Sequence, residues 1–277
     1  PTLFQQENSM ANNSIKVSVI TVNFNDARGL ENTLASTMAQ TEREGWEQIV
    51  IDGGSTDGSK EVIEKYRGLL AYAVSEPDGG IYQGMNKGVA AAKGEYCLFL
   101  NSADTLASPT TMQETLPLIT GCADYYVGNM LRMGRKTSLV TSPDDLTAAY
   151  LAQRSLSHQA MFIRTSLLRH RPYQTQYRIV ADWEQQVWEL VLHNASYQHL
   201  NAVVARFDAN GVSNTQREKS DKERRQIHDI LFSRSLTASL NGRDKYEKRL
   251  FYIIARYSGW RMHLKLMVLH IRWMLHL

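Results

Sequence analysis

Acidic side chains follow three of the apolar, strand-like runs in the first part of the sequence. Asp52 ends the run IVID, Asp78 follows the next run in SEPDGG, and Asp104 follows the run after that in FLNSAD. Ligands of open α/β sheets bind beyond the carboxyl ends of the strands, so we expect these carboxylates along one edge. They would repel a bare polyphosphate unless a divalent cation bridges them or they hydrogen-bond to a base or ribose. The pattern predicts a nucleotide site with a metal ion.

Some acids in this region have simpler structural explanations. Asp57, in GGSTDGS, stands where a helix N-cap is needed, and Asp78 before two glycines is a common turn residue. Asp52 and Asp104 are harder to explain in this way, because a carboxylate at the end of a buried strand costs desolvation energy unless it is paired. These two are therefore the stronger candidates for a site.

The segments that would position these acids alternate between strand and helix periods. The apolar runs KVSVITV, EQIVID, LAYAVS and EYCLFL are separated by the helical patterns GLENTLASTMAQ, SKEVIEKY and GIYQGMNKGVAAAKG. A β-α-β-α-β-α-β order is most simply built as a parallel sheet with helical crossovers. We predict an α/β fold with a Rossmann-like, mostly parallel central sheet flanked by helices.

The rest of the chain is less regular. Between about 105 and 215, the segments DYYVGNML, QAMFIR and HLNAVVARF have strand patterns and DWEQQVWELVLH has a helical pattern, which indicates additions to the same sheet. From about 216 the sequence becomes helical and charged, and no Asp or Glu follows Glu247. The basic charge is therefore concentrated at the C-terminal end.

The composition is that of a folded, mildly basic protein. The 277 residues are 43% hydrophobic with a net charge of +3, which suffices for one large domain or a domain with an appendage. With only Cys97 and Cys122 present, we expect no disulfide and a reducing, cytoplasmic compartment. The polar segment 1–14 is expected to be disordered or vector-derived, with Met10 as the natural start. No stretch has the roughly 18 uncharged apolar residues of a membrane span, so membrane contact would be peripheral.

Several motifs, taken in order, resemble those of the family 2 glycosyltransferases. They are VITVNFND, IVIDGGSTDGS, SEPDGGIYQGMNKGVAAAKGEYCLFLNSAD, SHQAMFIR and IVADWE. Within that family the chain is similar to enzymes that build bacterial colanic acid, capsule and O-antigen polysaccharides. The resemblance covers 15–215 and implies a GT-A fold with a nucleotide-binding half at 15–105 and an acceptor half at 106–215. The region 216–277 would then be a basic amphipathic helical extension.

The resemblance also implies how a nucleotide-sugar donor, most simply a UDP-sugar, would be held. By position, Asp52 would bond the nucleobase, Thr21 would line the base pocket, and Asn86 and Lys87 would lie beside the ribose and diphosphate. Asp104 would bind a divalent cation, Mn²⁺ or Mg²⁺.

The metal motif departs from the family pattern. Asn101 and Ala103 stand where acids are common in the family, so a metal requirement is less firmly implied. Arg206 matches a segment near the donor diphosphate, although an exposed arginine is usually only solvated.

The resemblance assigns the catalytic base to Asp182 in VADWE. A carboxylate there would accept the proton of the acceptor hydroxyl while that oxygen attacks the anomeric carbon with inversion. Alternatively, Asp182 followed by Gln185 is a capping-box pattern that opens a helix. Glu184 is the second candidate base. His158 and Gln159 are either acceptor-side residues or ordinary structural donors.

The C-terminal tail is strongly apolar with a basic stripe. On a helical wheel, Arg261, Lys265 and Arg272 of the segment 261–277 share one side. One interpretation is an interfacial helix on an anionic membrane, and the other is burial against this domain or a second subunit. The resemblance favours the membrane, since its enzymes act on polyprenyl-diphosphate-linked saccharides at the inner face of the bacterial inner membrane.

Two further hypotheses stay open. A sugar nucleotidyltransferase would also bind a nucleotide at this edge, but it usually needs a basic, glycine-rich loop after the first strand, where Arg28 is the only basic residue. A glycan-binding or scaffold subunit with a weakened site is suggested by Asn101 and Ala103. No dinucleotide fingerprint, phosphate-binding loop or nucleic-acid-binding pattern is present in the sequence.

Overall fold

The apolar runs of the sequence form strands in the computed structural model, which describes residues 15–208 and 217–231. The expectations for residues 1–14 and for the tail helix at 261–277 lie outside the described residues. The strands are Val17–Asn23 (β1), Trp46–Asp52 (β2), Tyr72–Ser75 (β3), Tyr96–Phe99 (β4), Thr105–Leu106 (β5), Tyr125–Met133 (β6), Ser138–Val140 (β7), Met161–Arg164 (β8) and Tyr197–Asp208 (β9).

Helices connect most of these strands. In the described residues they are Ala27–Met38 (α1), Ser59–Tyr66 (α2), Ile81–Ala91 (α3), Thr111–Thr115 (α4), Ala148–Gln153 (α5), Thr165–His170 (α6), Ala181–Gln186 (α7) and Arg217–Leu231 (α8). The chain continues from α7 through a π-helical segment at Val187–Leu192. Asp26 caps α1 as expected, because its carboxylate accepts a hydrogen bond from the amide of Gly29.

The described strands form one mixed sheet in the order β3-β2-β1-β4-β8-β6-β9-β5, with β7 paired to β6. Strands β1 to β4 are parallel, as the sequence predicts, and β8 is antiparallel to both β4 and β6. The carboxyl ends of β1, β2, β3, β4, β6 and β9 therefore share one edge. This edge is where the acids of the first half are placed.

Alternate residues of the central strands point into two cores. On one face, Ile49 and Ile51 of β2 belong to a core that includes Met85 of α3 and Trp183 of α7. On the other face, Val50 packs with residues of α1 and α2. The strands β1 and β2 are buried along their whole length, as expected for strands covered on both faces.

Two glycines let α3 lie directly against β1. A Cβ atom on Gly84 would lie 2.7 Å from Val22 Cγ1, and one on Gly88 would lie 2.3 Å from Ile20 Cγ2. Larger residues would push the helix off the strand. This close packing places the first turn of α3, which carries Tyr82, at the carboxyl edge of the sheet.

The first helix of the charged C-terminal region packs on the sheet domain. Ile227 of α8 is fully buried in the core that contains Trp183. The described part of the expected extension thus contributes to the main core. Cys97 is buried and Cys122 exposed, and both are free thiols.

Candidate active site

Asp52 closes β2 at the carboxyl edge and is fully buried. Its Oδ1 accepts hydrogen bonds from Asn23 Nδ2 (2.7 Å) and Ser55 Oγ (2.5 Å), and its Oδ2 accepts from Ser55 N (2.9 Å) and Ser75 Oγ (2.5 Å). Burial opposes ionisation, but the hydrogen bonds from Ser55, Ser75 and Asn23 outweigh it and lower the pKa of Asp52. The carboxylate ties the ends of three strands together. A nucleobase could reach it only if one of these partners moved.

Asn23 links Asp52 to the turn after β4. While its Nδ2 donates to Asp52, its Oδ1 accepts a hydrogen bond from Ser102 Oγ at 2.6 Å. Asn23 is itself buried at the end of β1. One amide side chain thus connects the acid of β2 to the candidate metal motif.

The turn at 101–104 is tightly held. The amide of Asp104 donates to Asn101 O at 3.0 Å, and Thr33 Oγ1 of α1 donates to Asp104 O at 2.7 Å. Ala103 has a φ of 74°, a left-handed conformation that costs a residue with a Cβ atom about 1 kcal/mol. The surrounding contacts therefore hold this turn in a strained conformation.

His158 joins this turn to Asp182. Its Nδ1 lies 3.1 Å from Asp182 Oδ2, and its Nε2 lies 3.2 Å from Asn101 Nδ2. Since an amide nitrogen can only donate, this geometry assigns a neutral imidazole that carries its proton on Nδ1. Antiparallel pairing of Leu98 with Phe162 brings the start of β8 to the end of β4, which explains why His158 meets Asn101.

Asp182 lies in the first turn of α7 with its side chain 14% exposed. Besides His158, its carboxylate contacts Tyr82, whose hydroxyl donates to Oδ1 at 2.8 Å. The helix begins after Val180, which makes no side-chain cap bond. The capping-box alternative is therefore wrong, because Asp182 is inside the helix rather than at its cap.

The charges of this group stabilise one another. Burial opposes ionisation of Asp182, but the hydrogen bond and charge of His158 and the hydrogen bond from Tyr82 lower its pKa. Burial also opposes ionisation of His158, yet Asp182 and then Asp104 raise the pKa of the imidazole. Burial, followed by the charge of Asp182, raises the pKa of Tyr82 well above its ordinary value, so the phenol stays a donor.

The described residues alone do not fit a metal site. In this part of the chain no group of three His, Cys, Asp or Glu side chains is placed to bind a cation. Asp104 is buried, and its turn carries the amide of Asn101, whose Oδ1 is buried without a hydrogen-bond partner. The prediction that one cation bridges Asp52, Asp78 and Asp104 is wrong, because the oxygens of Asp52 are already occupied.

The structural explanations for Asp78 and Asp57 are confirmed. Asp78 Oδ1 accepts a hydrogen bond from the amide of Gly80 at 2.8 Å within its turn. Asp57 Oδ1 accepts from Ser59 N (3.2 Å) and Oγ (2.6 Å) at the start of α2, and its Oδ2 accepts from Ala27 N (2.8 Å).

Two expected donor contacts are used internally. Thr21 is fully buried in β1, where its hydroxyl accepts a hydrogen bond from Gln48 Nε2 at 3.0 Å. Asn86 forms a two-way pair with the backbone of Tyr173, with both distances at 2.9 Å. In this conformation Thr21 lies beneath the sheet surface and Asn86 holds a loop, so neither presents a free group to a donor.

The two expected donor cations remain closer to solvent. Lys87 Nζ pairs with Glu76 Oε1 at 2.7 Å, and Lys87 is partly exposed. Arg206 is exposed, and its Nε donates to Ala107 O at 3.0 Å. Each keeps donor groups beyond these single contacts.

Glu184 is not available as a base. Its two oxygens accept hydrogen bonds from Arg171 at 2.5 and 3.0 Å, and its side chain is only 4% exposed. A buried bidentate ion pair strongly disfavours protonation of the carboxylate. Gln159 is buried next to His158 in a short 3₁₀ turn.

Sequence reasoning missed three residues at this edge. Asn23 and Tyr82 connect the acids, and Phe24 is 65% exposed with its ring beside Gly53. Asn23 and Phe24 follow the first strand, so the rule that selected Asp52 would also have found them. Tyr82 carries no such signal, because its contact with Asp182 depends on the packing of α3.

A separate cavity carries little chemistry. It measures about 450 Å³ and lies beside β9, and its only ionisable lining side chain is Glu114. Among the described residues no helix is both long enough and apolar enough to cross a bilayer.

Comparisons with known proteins agree with this fold and site. A family model of glycosyl transferase family 2 matches residues 18–180. An uncharacterized glycosyltransferase of Mycobacterium tuberculosis (strain H37Rv) is 34% identical over 212 residues, which cover 74% of this chain and 79% of that protein.

Two solved structures share the fold. TarS of S. aureus in complex with UDP aligns with a TM-score of 0.60 and 21% identity, over 87% of this chain and 78% of TarS. Mannosyltransferase PcManGT from Pyrobaculum calidifontis, in complex with GDP-Man and Mn²⁺, aligns with a TM-score of 0.59 and 16% identity, over 92% of this chain and 79% of the other. With a family model that covers more than half of its length and a relative above 30% identity, this chain belongs to glycosyltransferase family 2.

Proposed function

We propose that this protein is an inverting glycosyltransferase that moves a hexosyl group from a nucleotide sugar to a lipid-linked saccharide during synthesis of a bacterial surface polysaccharide. The observation that carries the proposal is the carboxylate of Asp182. It is partly exposed, oriented on both oxygens, and held next to the 101–104 turn through His158 and Asn101. A base in that place would meet the donor sugar and the acceptor together.

In the proposed reaction, Asp182 accepts the proton of the acceptor hydroxyl. The freed oxygen pair attacks the anomeric carbon, and the bond from that carbon to the diphosphate oxygen breaks, leaving both electrons on the nucleoside diphosphate. A single displacement of this kind inverts the anomeric centre. The donors Tyr82 and His158 each hold one oxygen of Asp182, and the second lone pair of each oxygen remains to receive the proton.

A neutral His158 suits this role. An imidazolium beside Asp182 would stabilise the carboxylate further and make it a weaker base. The contact between His158 Nε2 and the amide nitrogen of Asn101 favours the neutral form. We propose that His158 orients the base, and that Gln159 beside it supports the acceptor side.

The donor would lie over the carboxyl ends of β1 and β2. Phe24 offers an exposed ring there, and Lys87 and Arg206 offer cationic groups for the diphosphate. Nucleotides in the two structural neighbours, UDP in TarS and GDP-Man in PcManGT, support a nucleotide-sugar donor, with a UDP-sugar as our choice. Contacts of Asp52 or Thr21 with the base would need the rearrangements described above.

A divalent cation is part of the proposal only as a companion of the nucleotide. Mn²⁺ is present with GDP-Man in PcManGT. Here Asp104 would contribute a carboxylate, and the donor diphosphate would have to supply most other ligands, because the described protein groups do not surround a cation. No step above depends on it.

The acceptor proposal rests on the sequence resemblance. A polyprenyl-diphosphate-linked saccharide at the inner face of the inner membrane would require membrane contact by the basic segment 261–277, which lies outside the described residues.

The proposal is tested by incubating the purified chain with UDP-, GDP- and dTDP-sugars and a lipid-linked saccharide, with and without Mn²⁺, and by determining the product anomer by NMR. We expect one nucleotide sugar to be consumed with inversion. Retention at the anomeric carbon would contradict the mechanism. Isotope exchange between pyrophosphate and a nucleoside triphosphate would instead support a nucleotidyltransferase, and absence of both transfer and slow donor hydrolysis would support a scaffold role.

A further inference from the structure

Helix α8 reaches the segment that carries the proposed base. Glu223 Oε1 accepts a hydrogen bond from the amide of Arg178 at 2.8 Å, and its Oε2 accepts from the amides of Ile179 (2.9 Å) and Val180 (3.2 Å). One carboxylate therefore binds three consecutive backbone N–H groups directly before α7. Such a run of amides forms a favourable site for an anion.

This contact compensates for a weak helix start. Helix α7 has only six residues, and its cap residue Val180 makes no side-chain cap bond. Without Glu223 the amides before Asp182 would lack these charge-assisted partners. Ile179 is also held from the other side, because its carbonyl accepts a hydrogen bond from Tyr82, the same residue that contacts Asp182.

The next residue of α8 holds the chain on the other side of the base. The guanidinium of Arg224 lies 4.4 Å from the ring centroid of Trp183, and its Nη2 donates to Ser155 Oγ at 3.3 Å. Trp183 is fully buried and donates its indole N–H to Leu151 O at 2.6 Å. A guanidinium over a desolvated indole face is a strong form of the cation–π contact.

The buried face of α8 explains why these residues sit where they do. Ile227, one turn after Glu223, is fully buried in the main core, and the His228 ring lies 5.3 Å from that of Trp183. Glu218 and Arg225 on the same helix are exposed. The helix is thus anchored by its apolar side and directs Glu223 and Arg224 toward the residues that flank Asp182.

We propose that Glu223 and Arg224 are positioning residues that fix Asp182 in its catalytic orientation, so that α8 completes the active site. This inference rests on the proposed role of Asp182. Neither residue contacts the proposed reacting atoms. Both act through the backbone at 178–180 and through Trp183.

The main test is a double-mutant cycle in the full chain. Glu223→Gln should lower kcat about 10-fold to 100-fold, because small displacements of a catalytic group have effects of this size, while the affinity for the nucleotide sugar stays within about twofold. In the Asp182→Asn background the same substitution should cost almost nothing, since the group it positions is gone. Glu218→Gln, an exposed change of the same type on the same helix, is the matched control and should behave as wild type.

Two results would overturn the inference: wild-type kcat in Glu223→Gln, or an equal loss in both backgrounds, which would indicate a general structural role. If Glu223→Gln does not fold, the same cycle with Arg224→Lys decides, since lysine keeps the charge but removes the planar stack on Trp183.

A second measurement does not depend on activity. Hydrogen exchange of the amides at 178–183 should accelerate in Glu223→Gln, with the strands β1 to β4 unchanged. Unchanged exchange at 178–180 would reject the proposed contact. An inactive wild-type enzyme together with accelerated exchange would count against the proposed function but not against the link between α8 and this segment.

Discussion

Two acids at the same edge of the sheet are held in different ways. Asp52 has no exposed surface and accepts four hydrogen bonds, whereas Asp182 is partly exposed and accepts one side-chain hydrogen bond on each oxygen. A carboxylate with every lone pair occupied stabilises the fold, because it can take up a proton only by losing partners. One with spare lone pairs and solvent access can take part in proton transfer. The number of donors around each acid therefore separates an anchor from a base.

The largest stability effect is expected at Asp52. Asp52→Asn keeps the shape of the side chain but places an N–H₂ group against donors, so the free energy of unfolding should fall by about 2 to 3 kcal/mol. Urea unfolding of the variant beside Asp145→Asn, an exposed acid that serves as the control, measures this difference. A wild-type midpoint for Asp52→Asn would mean that its four hydrogen bonds contribute no net stability.

The pH dependence of stability gives the same comparison a sign. The pKa of Asp52 is lowered in the folded state, so its stabilisation is present above the ordinary Asp value of 3.8 and is lost as the pH falls through the folded pKa. The difference in unfolding free energy between wild type and Asp52→Asn should thus be constant near neutral pH and shrink in acid. A difference that grows below the ordinary Asp pKa would contradict the lowered value.

An intermediate effect is expected at His158. His158→Gln keeps a donor for Asp182 but cannot take a proton, so kcat should fall about 10-fold with donor affinity unchanged. In the wild type, the raised pKa of His158 means that the imidazolium, and the weakened base, persist above the ordinary value of 6.5. Transfer should therefore rise with pH through that region, and Gln should remove this limb. A pH–rate profile that is the same in both proteins would exclude His158 from the control of the base.

Much of the donor side could be predicted from the sequence. Asp52 and Asp104 follow strand runs whose order fixes a parallel sheet, so their place at one edge follows from local patterns and one topological rule. The contacts that saturate Asp52 were not foreseeable, since Ser75 comes from a third strand. The α/β class and the strands β1 to β4 are confirmed.

The acceptor side was less accessible to sequence reasoning. His158 reaches Asn101 only because β8 inserts antiparallel beside β4, and local periodicity does not encode that pairing. The short elements β5, β7, α4, α5 and α6 were not predicted, since they have too few residues to show a period. The role of α8 was missed because its charged sequence suggests a solvated helix.

The smallest effect is expected in the turn between the two acids. Ala103→Gly would relieve the left-handed conformation at φ 74° but increase the entropy of the unfolded chain, so a gain of about 0.5 kcal/mol in unfolding free energy is expected. Thermal denaturation beside Ala202→Gly, in a strand without this strain, measures it. Destabilisation equal to that of Ala202→Gly would show that Ala103 is not strained.

The central claim is that Asp182 takes the acceptor proton while Asp52 maintains the structure, and kcat of Asp182→Asn tests it most directly. We expect sugar transfer to fall at least about 100-fold, the contribution of a positioned base, with nucleotide-sugar affinity by calorimetry and the unfolding midpoint close to wild type. Transfer at the wild-type rate in a folded, donor-binding Asp182→Asn protein would contradict the account.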